Sequence, residues 1–242
     1  PSPLASGRDR MVRSAVDMPT APQTASPQVH AVQPSGPDHC ILLPGVRWET
    51  YESLLADMQD SHAAHFAYDQ GMLEIMAPSH EHESLKHVFA MLVDVLAEEM
   101  EMDIHGGGST TFRREDLAKG FEPDECFYIQ HAERVRGKKQ IDLAQDPPPD
   151  LIIEIDITSP SLNKFPIFAA LGIPEVWRHD GARVAIFTLV DNDYVERVES
   201  VVLPKVTSAI LTELIDAGRQ LKRPAWLRRV RAWARSSFGS DR

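Results

Sequence analysis

Apolar residues at Leu85, Val88, Phe89, Leu92, Val95, Leu96 and Met100 recur at steps of three and four. That spacing predicts a helix with one apolar stripe over about four turns. Ser79, just after Pro78, suits its N-cap. A period of two appears instead in Phe66/Tyr68 and Leu73/Ile75, on either side of Gln70-Gly71. This predicts two short strands joined by a turn over His65–Ala77. Trp48–Met58 reads as a helix, with Thr50 and Glu52 near its start. Asp103–Phe112 reads as a strand broken by "HGGGSTT", and Glu122–Gln130 as another strand. The polar stretch "RVRGKKQIDLAQDPPP" (Arg134–Pro149) reads as a loop. Beyond it come a strand from Leu151, a helix near Leu162–Leu171 and a short strand at Pro174–Asp180 that turns at Gly181. Strands at Val184–Val190 and Tyr194–Ser200 follow. Two helices, Ala209–Leu221 and Ala225–Ser236, flank Pro224. This order predicts an α/β or mixed α+β fold, a mixed sheet flanked by helices. There is no internal repeat.

Composition sets the limits. The chain has 242 residues, 43% of them hydrophobic, which suits one ordinary domain with tails or at most two small ones. Residues 1–38 are rich in Pro, Ser, Ala, Gln and Thr without an apolar period and are expected to be disordered. Residues 39–221 would form the folded domain, and 222–242 a basic C-terminal helix and tail. No uncharged apolar run approaches the roughly 18–20 residues that span a bilayer, so no membrane partner is expected. The N-terminus carries no secretory h-region. Cys40 and Cys126 are the two cysteines. They form no CxxC, and they favour a reducing cytoplasm over a disulfide framework.

The net charge is −11 and uneven. From Arg219 onward there are eight Lys or Arg and one acid, a net of +7, so the rest of the chain carries −18. An acidic body opposes non-specific polyanion binding at long range. Two readings of the basic segment Lys222–Ser237 remain open. It could bind DNA or anionic membrane, or its Trp226, Val230 and Trp233 side could pack the helix onto the body.

Other motifs fall short of a known chemistry. "HEHES" (His80–Ser84) lacks the second histidine of HExxH, because Ser84 stands there. "GGGST" (Gly106–Thr110) is neither a phosphate loop nor a nucleophile elbow, and reads as a bulge or turn.

The stretch "PPPDLIIEIDITSPS" (Pro147–Ser161) is the anomaly. In a strand, Ile153 and Ile155 face one way, and Ile152, Glu154 and Asp156 the other. At about 3.3 Å per residue, the Glu154 and Asp156 backbones sit roughly 7 Å apart. Two carboxylates so close raise each other's proton affinity unless a cation lies between them. Mg²⁺ or Mn²⁺ would suit such oxygens. A merely solvated face fits the alternation equally well. Asp124 in "EPDECF" is a third acid in an apolar setting, or a simple Pro-Asp turn. Lys164 lies near a helix start, where the macrodipole disfavours a cation. It is either an exposed lysine or an ammonium reaching back to the strand acids.

The block "IIEIDITSPSLNKFPIFAALGIPEVWRHD", with the Pro-Asp strand before it, resembles the Uma-two family, classed as restriction endonucleases in the PD-(D/E)XK nuclease superfamily. The resemblance spans roughly Trp48 to Ser200. It implies a restriction-endonuclease-like mixed sheet flanked by helices, with the acids on a central hairpin. It implies Asp124 and Glu154 as metal-binding acids and Lys164, four residues before Phe168, as the lysine. Glu83 would be the acid of the long helix, with Glu81 as its rival. The superfamily places its lysine two residues after the Glu. Asp156 stands there, so either Lys164 has taken over the lysine's role or Asp156 adds a metal ligand. The activity implied is Mg²⁺- or Mn²⁺-dependent hydrolysis of DNA, with the Ile155 carbonyl as a further ligand. Arg136, Lys138 and Lys139 would contact the phosphate backbone, or form a solvated basic loop. A homodimer follows by analogy alone. The competing expectation is a non-catalytic module that binds DNA or protein.

Overall fold

The structure is a computed structural model that describes residues 38–58, 64–157 and 162–239. The expected tail at 1–37, the "TSPS" turn at 158–161 and the last three residues lie outside it. Strand β1 is His39–Pro44, followed by helix α1 (Trp48–Met58), the hairpin β2 (His65–Asp69) and β3 (Met72–Ala77), and the long helix α2 (His80–Met100). Next come β4 (His105–Gly106), β5 (Phe112–Arg114), a 3-10 turn at Glu115–Leu117, β6 (Lys119–Phe121), β7 (Glu125–Tyr128) and a short helix α3 (Ala132–Val135). The C-terminal half holds β8 (Leu151–Ile155), α4 (Phe165–Ala170), β9 (Glu175–His179), β10 (Val184–Val190), β11 (Asp193–Arg197), α5 (Ser208–Gln220) and α6 (Arg223–Phe238).

The fold is mixed α/β, with two sheets rather than the single sheet that the element order suggested. One has the order β1-β3-β2-β6-β5, the other β11-β10-β9-β8-β7-β4. The stretch read as one broken strand, Asp103–Phe112, is split between them: β4 joins the second sheet and β5 the first. "GGGST" makes the crossing. A Cβ on Gly107 would come within 2.6 Å of Cys126 Sγ, so only glycine lets the chain pass there. The chain crosses again at Glu122–Asp124, between β6 and β7.

Local chemistry explains the elements that position the site. Gln70 and Gly71 both adopt positive φ (46° and 99°), as a two-residue hairpin of the right-handed twist requires. Helix α2 starts where Ser79 Oγ accepts from His82 N at 3.2 Å. Its stripe of Leu85, Phe89, Leu92 and Leu96 is fully buried and packs with α5 and α6 against Leu151, Ile153 and Ile155 of β8. The opposite face of β8, marked by Ile152, packs with Phe168 and Ile167 of α4 and with Phe121 of the first sheet. The predicted alternation of β8 therefore holds, but both faces are buried.

Two sequence expectations about the ends need correction. Residue 38, assigned to the loose tail, is buried: Asp38 accepts from Ser79 N at 2.7 Å. Cys40 lies in β1, near the expected start of the folded domain. The basic C-terminal helix is part of the core. Trp226, Val230 and Ala234 are fully buried, and Trp226 Nε1 donates to Leu214 O at 2.7 Å. Three of its arginines are paired: Arg229 with Glu213, Arg231 with Glu98, and Arg235 with Glu99. The packing reading of this segment accounts for the helix.

Candidate active site

Strands β7 and β8 are antiparallel, with Glu125 opposite Ile153 and Cys126 opposite Ile152. Asp124 immediately precedes the end of this ladder, and Glu154 immediately follows Ile153. Asp124 Oδ2 accepts from Ile155 N at 2.6 Å, which ties the first acid to the backbone beside the second. Both acids are buried, Asp124 at 2% and Glu154 at 3% exposure. This excludes the solvated-face reading of Glu154.

Lys164 caps α4, whose start is fixed by Asn163 Oδ1 accepting from Phe165 N at 3.2 Å and by Pro166 in the first turn. Its ammonium reaches back to Glu154, Nζ to Oε2 being 2.8 Å, and lies 3.9 Å from Glu74 Oε1 on β3. Glu74 Oε2 in turn accepts from Leu162 N at 2.9 Å. Three sequence-predicted residues, Asp124, Glu154 and Lys164, are thus brought together between the two sheets.

Glu83, Arg136, Lys138 and Lys139 stand apart from them, while Asp156 lies beside them but is paired with Arg178. Glu83 points outward and pairs loosely with Lys86 at 3.8 Å, its side chain 47% exposed; its rival Glu81 pairs with Arg219. Helix α2 instead contributes His82, one residue earlier. Asp156, proposed as a metal ligand, is bound by Arg178 through its Nε. The basic loop is remote. Arg136 pairs with Asp103 and Glu133, Lys138 with Asp146, and Lys139 is exposed. Asp103 follows the C-terminal end of α2, and roughly 27 Å of helix separates that end from His82.

His82 is the principal residue the sequence reading missed. Its Nε2 lies 2.9 Å from Asp124 Oδ1 and its Nδ1 3.3 Å from Asp38 Oδ2. His65 of β2 adds its Nδ1 at 3.1 Å from Asp124 Oδ1. Burial by itself would lower the His82 pKa, but the flanking carboxylates of Asp124 and Asp38 outweigh it and push the imidazole up to about 8. Burial would likewise raise Asp124, yet His65, His82 and Lys164 hold it well below the usual carboxylate range. Glu154 goes the other way. Burial, then the charges of Asp124 and Asp156, push it up to about 8 against the pull of Lys164. The Lys164 ammonium is held charged by Glu154, Glu74, Asp124 and Asp156 despite burial.

The residues fit a hard divalent cation. Glu154 Oε1 is buried without a hydrogen-bond partner, and a buried bare carboxylate oxygen is costly unless something binds it. Among the described residues no three or more His, Cys, Asp or Glu side chains are grouped to hold an ion. The protein's share would therefore be the two carboxylates. That suits Mg²⁺, which keeps several waters and takes one or two carboxylates plus substrate phosphate.

A pocket of about 360 Å³ opens beside these groups, lined by Glu154, Asp156, Lys164, Phe165, Phe168 and Arg178 among others. Arg178 stands opposite Glu154 in the parallel β8–β9 register. Glu154 and Arg178 are thus neighbours on adjacent strands.

The family model of Uma2, described as "Putative restriction endonuclease", matches residues 48–223. No curated protein matches the chain. Among solved structures, one from Anabaena variabilis ATCC 29413, described as a putative nuclease belonging to DUF820, aligns with 16% identity. The alignment covers 67% of this chain and 90% of that one, with a TM-score of 0.40.

Proposed function

Because the chain belongs to the Uma2 family, we propose that it is a divalent-metal-dependent endonuclease that hydrolyses DNA phosphodiester bonds. The observation that carries this reading is a pair of buried acids with a lysine on one of them: Asp124 Oδ2 accepts from Ile155 N, next to Glu154, at 2.6 Å, and Lys164 Nζ lies 2.8 Å from Glu154 Oε2. Asp124 and Glu154 would hold Mg²⁺ or Mn²⁺. A bound ion would supply Lewis acidity at a non-bridging phosphate oxygen and lower the pKa of its water.

The chain's own groups have definite parts. His65, His82 and the Ile155 N–H fix the Asp124 carboxylate in one orientation. Lys164 presents a permanent positive charge at the mouth of the pocket, where negative charge on the phosphate would develop. Its contact with Glu154 keeps the ammonium from turning to solvent. Asp156 would act through Arg178, with which it is paired.

The test is plasmid nicking in Mg²⁺ or Mn²⁺. Cutting should vanish with EDTA and with Asp124→Ala or Glu154→Ala. A calorimetric Mn²⁺ titration should show binding by the wild type that Glu154→Ala loses. Undiminished cutting by either variant would reject the assignment.

A second reading has its own support. Each acid already has a cation from within the protein, His82 for Asp124 and Lys164 for Glu154. A non-catalytic module that binds DNA or protein would keep such a self-neutralised site. It predicts nucleic-acid or protein binding with no turnover in any divalent ion.

A further inference from the structure

The pocket between β8, β9 and α4 is more than a mouth for an ion. Its volume of about 360 Å³ exceeds what a hydrated cation needs and falls in the range of small-molecule sites. Its walls differ in kind. One side is ionic, with Glu154, Lys164, Asp156 and Arg178; the other is apolar, with Leu162, Phe165 and Phe168.

Phe165 is held rigidly. Its ring stacks on Tyr194 at 5.1 Å and packs on Phe187 at 4.9 Å. The Arg178 guanidinium carbon lies 6.0 Å from the Phe165 ring centre. Asp156 holds the Nε edge of that guanidinium, and among the described residues no second carboxylate pairs with it. An oriented arginine beside an apolar aromatic wall has the chemistry of a nucleotide site: the fork reads a phosphate and the ring takes a base.

We propose that this pocket holds one unstacked nucleotide of the DNA strand, with its phosphate against Arg178 and its base against Phe165. This rests on the nuclease reading for its ligand class but makes a separate claim. A base inside a duplex cannot reach such a wall, so the nucleotide must come from single-stranded DNA or leave its stack. Asp156 then has a positioning role: it aims Arg178.

The test is fluorescence anisotropy with a labelled mixed-sequence single-stranded DNA octamer, and with the same octamer made abasic throughout, both in EDTA. The wild type should bind the normal octamer about tenfold more tightly than the abasic one. Phe165→Ala should erase most of that difference, and Phe165→Leu part of it. Arg178→Gln should weaken both octamers and reduce the salt slope by about 0.7, one phosphate contact on a single strand. Comparing the two octamers on one variant removes any general effect of the substitution on folding. If Phe165→Ala proves too unstable to assay, Phe165→Leu decides by the same ratio.

The proposal fails if the wild type binds neither octamer, binds both equally, or keeps its preference in the Phe165 variants. Plasmid nicking run in parallel separates the two claims. Nicking with no base dependence removes the pocket and leaves the nuclease. Base dependence with no nicking in any ion leaves the pocket and removes the nuclease.

Discussion

Lys164 Nζ and Glu154 Oε2 are 2.8 Å apart, although one residue caps a helix and the other sits in the central strand of a sheet. Both side chains are largely buried, at 14% and 4% exposure. The ammonium offsets part of the cost of burying this carboxyl group, which the interior still pushes toward its protonated form.

Breaking this pair should be more costly than removing it. At pH 9, where Glu154 is ionised, Lys164→Met leaves it buried without its cation and is expected to destabilise the fold by roughly 3 kcal/mol. Adding Glu154→Gln should recover part of the loss, giving a coupling above ~1 kcal/mol in a double-mutant cycle. Urea denaturation of the four proteins measures it. Simple additivity would contradict the pairing.

His82 should make stability depend on pH in a defined direction. Its pKa rises from an ordinary 6.5 to about 8 in the folded protein. The raised value means the stabilisation is fully present below pH 6.5 and is lost as pH climbs through about 8. The window amounts to about 2 kcal/mol. The stability difference between wild type and His82→Gln, measured in EDTA from pH 6 to 9, should shrink by that amount. A constant difference would mean His82 is not charged in the fold. Asp38, Asp124 and His65 are the groups that face it.

Metal binding should release protons. With Glu154 pushed up to about 8, the ion-free site keeps a proton at pH 7, and a cation must displace it. Mn²⁺ affinity should rise by about tenfold per pH unit between pH 6 and 8 and level off above. Calorimetry in two buffers of different ionisation enthalpy counts the protons directly. Affinity independent of pH would show that Glu154 is not the ligand that titrates.

The C-terminal helix should matter for stability and not for DNA. Trp226→Ala removes a fully buried ring and its hydrogen bond to Leu214 O. It is expected to cost about 3–5 kcal/mol by thermal or chemical denaturation. Arg229→Gln, Arg231→Gln and Arg235→Gln break exposed ion pairs and should each cost less than ~1 kcal/mol. DNA affinity and its salt slope should be unchanged in the triple variant. A fall in slope would return a DNA role to this helix.

Much of the architecture was legible in the chain because it is written in short periods. The α2 stripe, the Gln70-Gly71 hairpin and the two faces of β8 follow from the turn of a helix and the pleat of a strand. The same period held a clue that the motif-based reading passed over. His82 continues the stripe of Leu85 and Phe89, whereas Glu83 stands off it, so the helix buries the histidine and exposes the acid.

Other relationships have no local signature. That Asp38 flanks His82, that Arg178 stands beside Glu154, and that the α6 arginines meet acids of α2 and α5 are matters of which segments become neighbours. Sequence alone determined that acids and a lysine would lie on elements able to present them. Only the tertiary structure decided which histidine joins Asp124, that Asp156 belongs to Arg178, and that the basic loop lies at the far end of α2. The reason is physical. Helix and strand periods are properties of the backbone over a few residues, while partners are chosen by sheet register and packing across the whole chain.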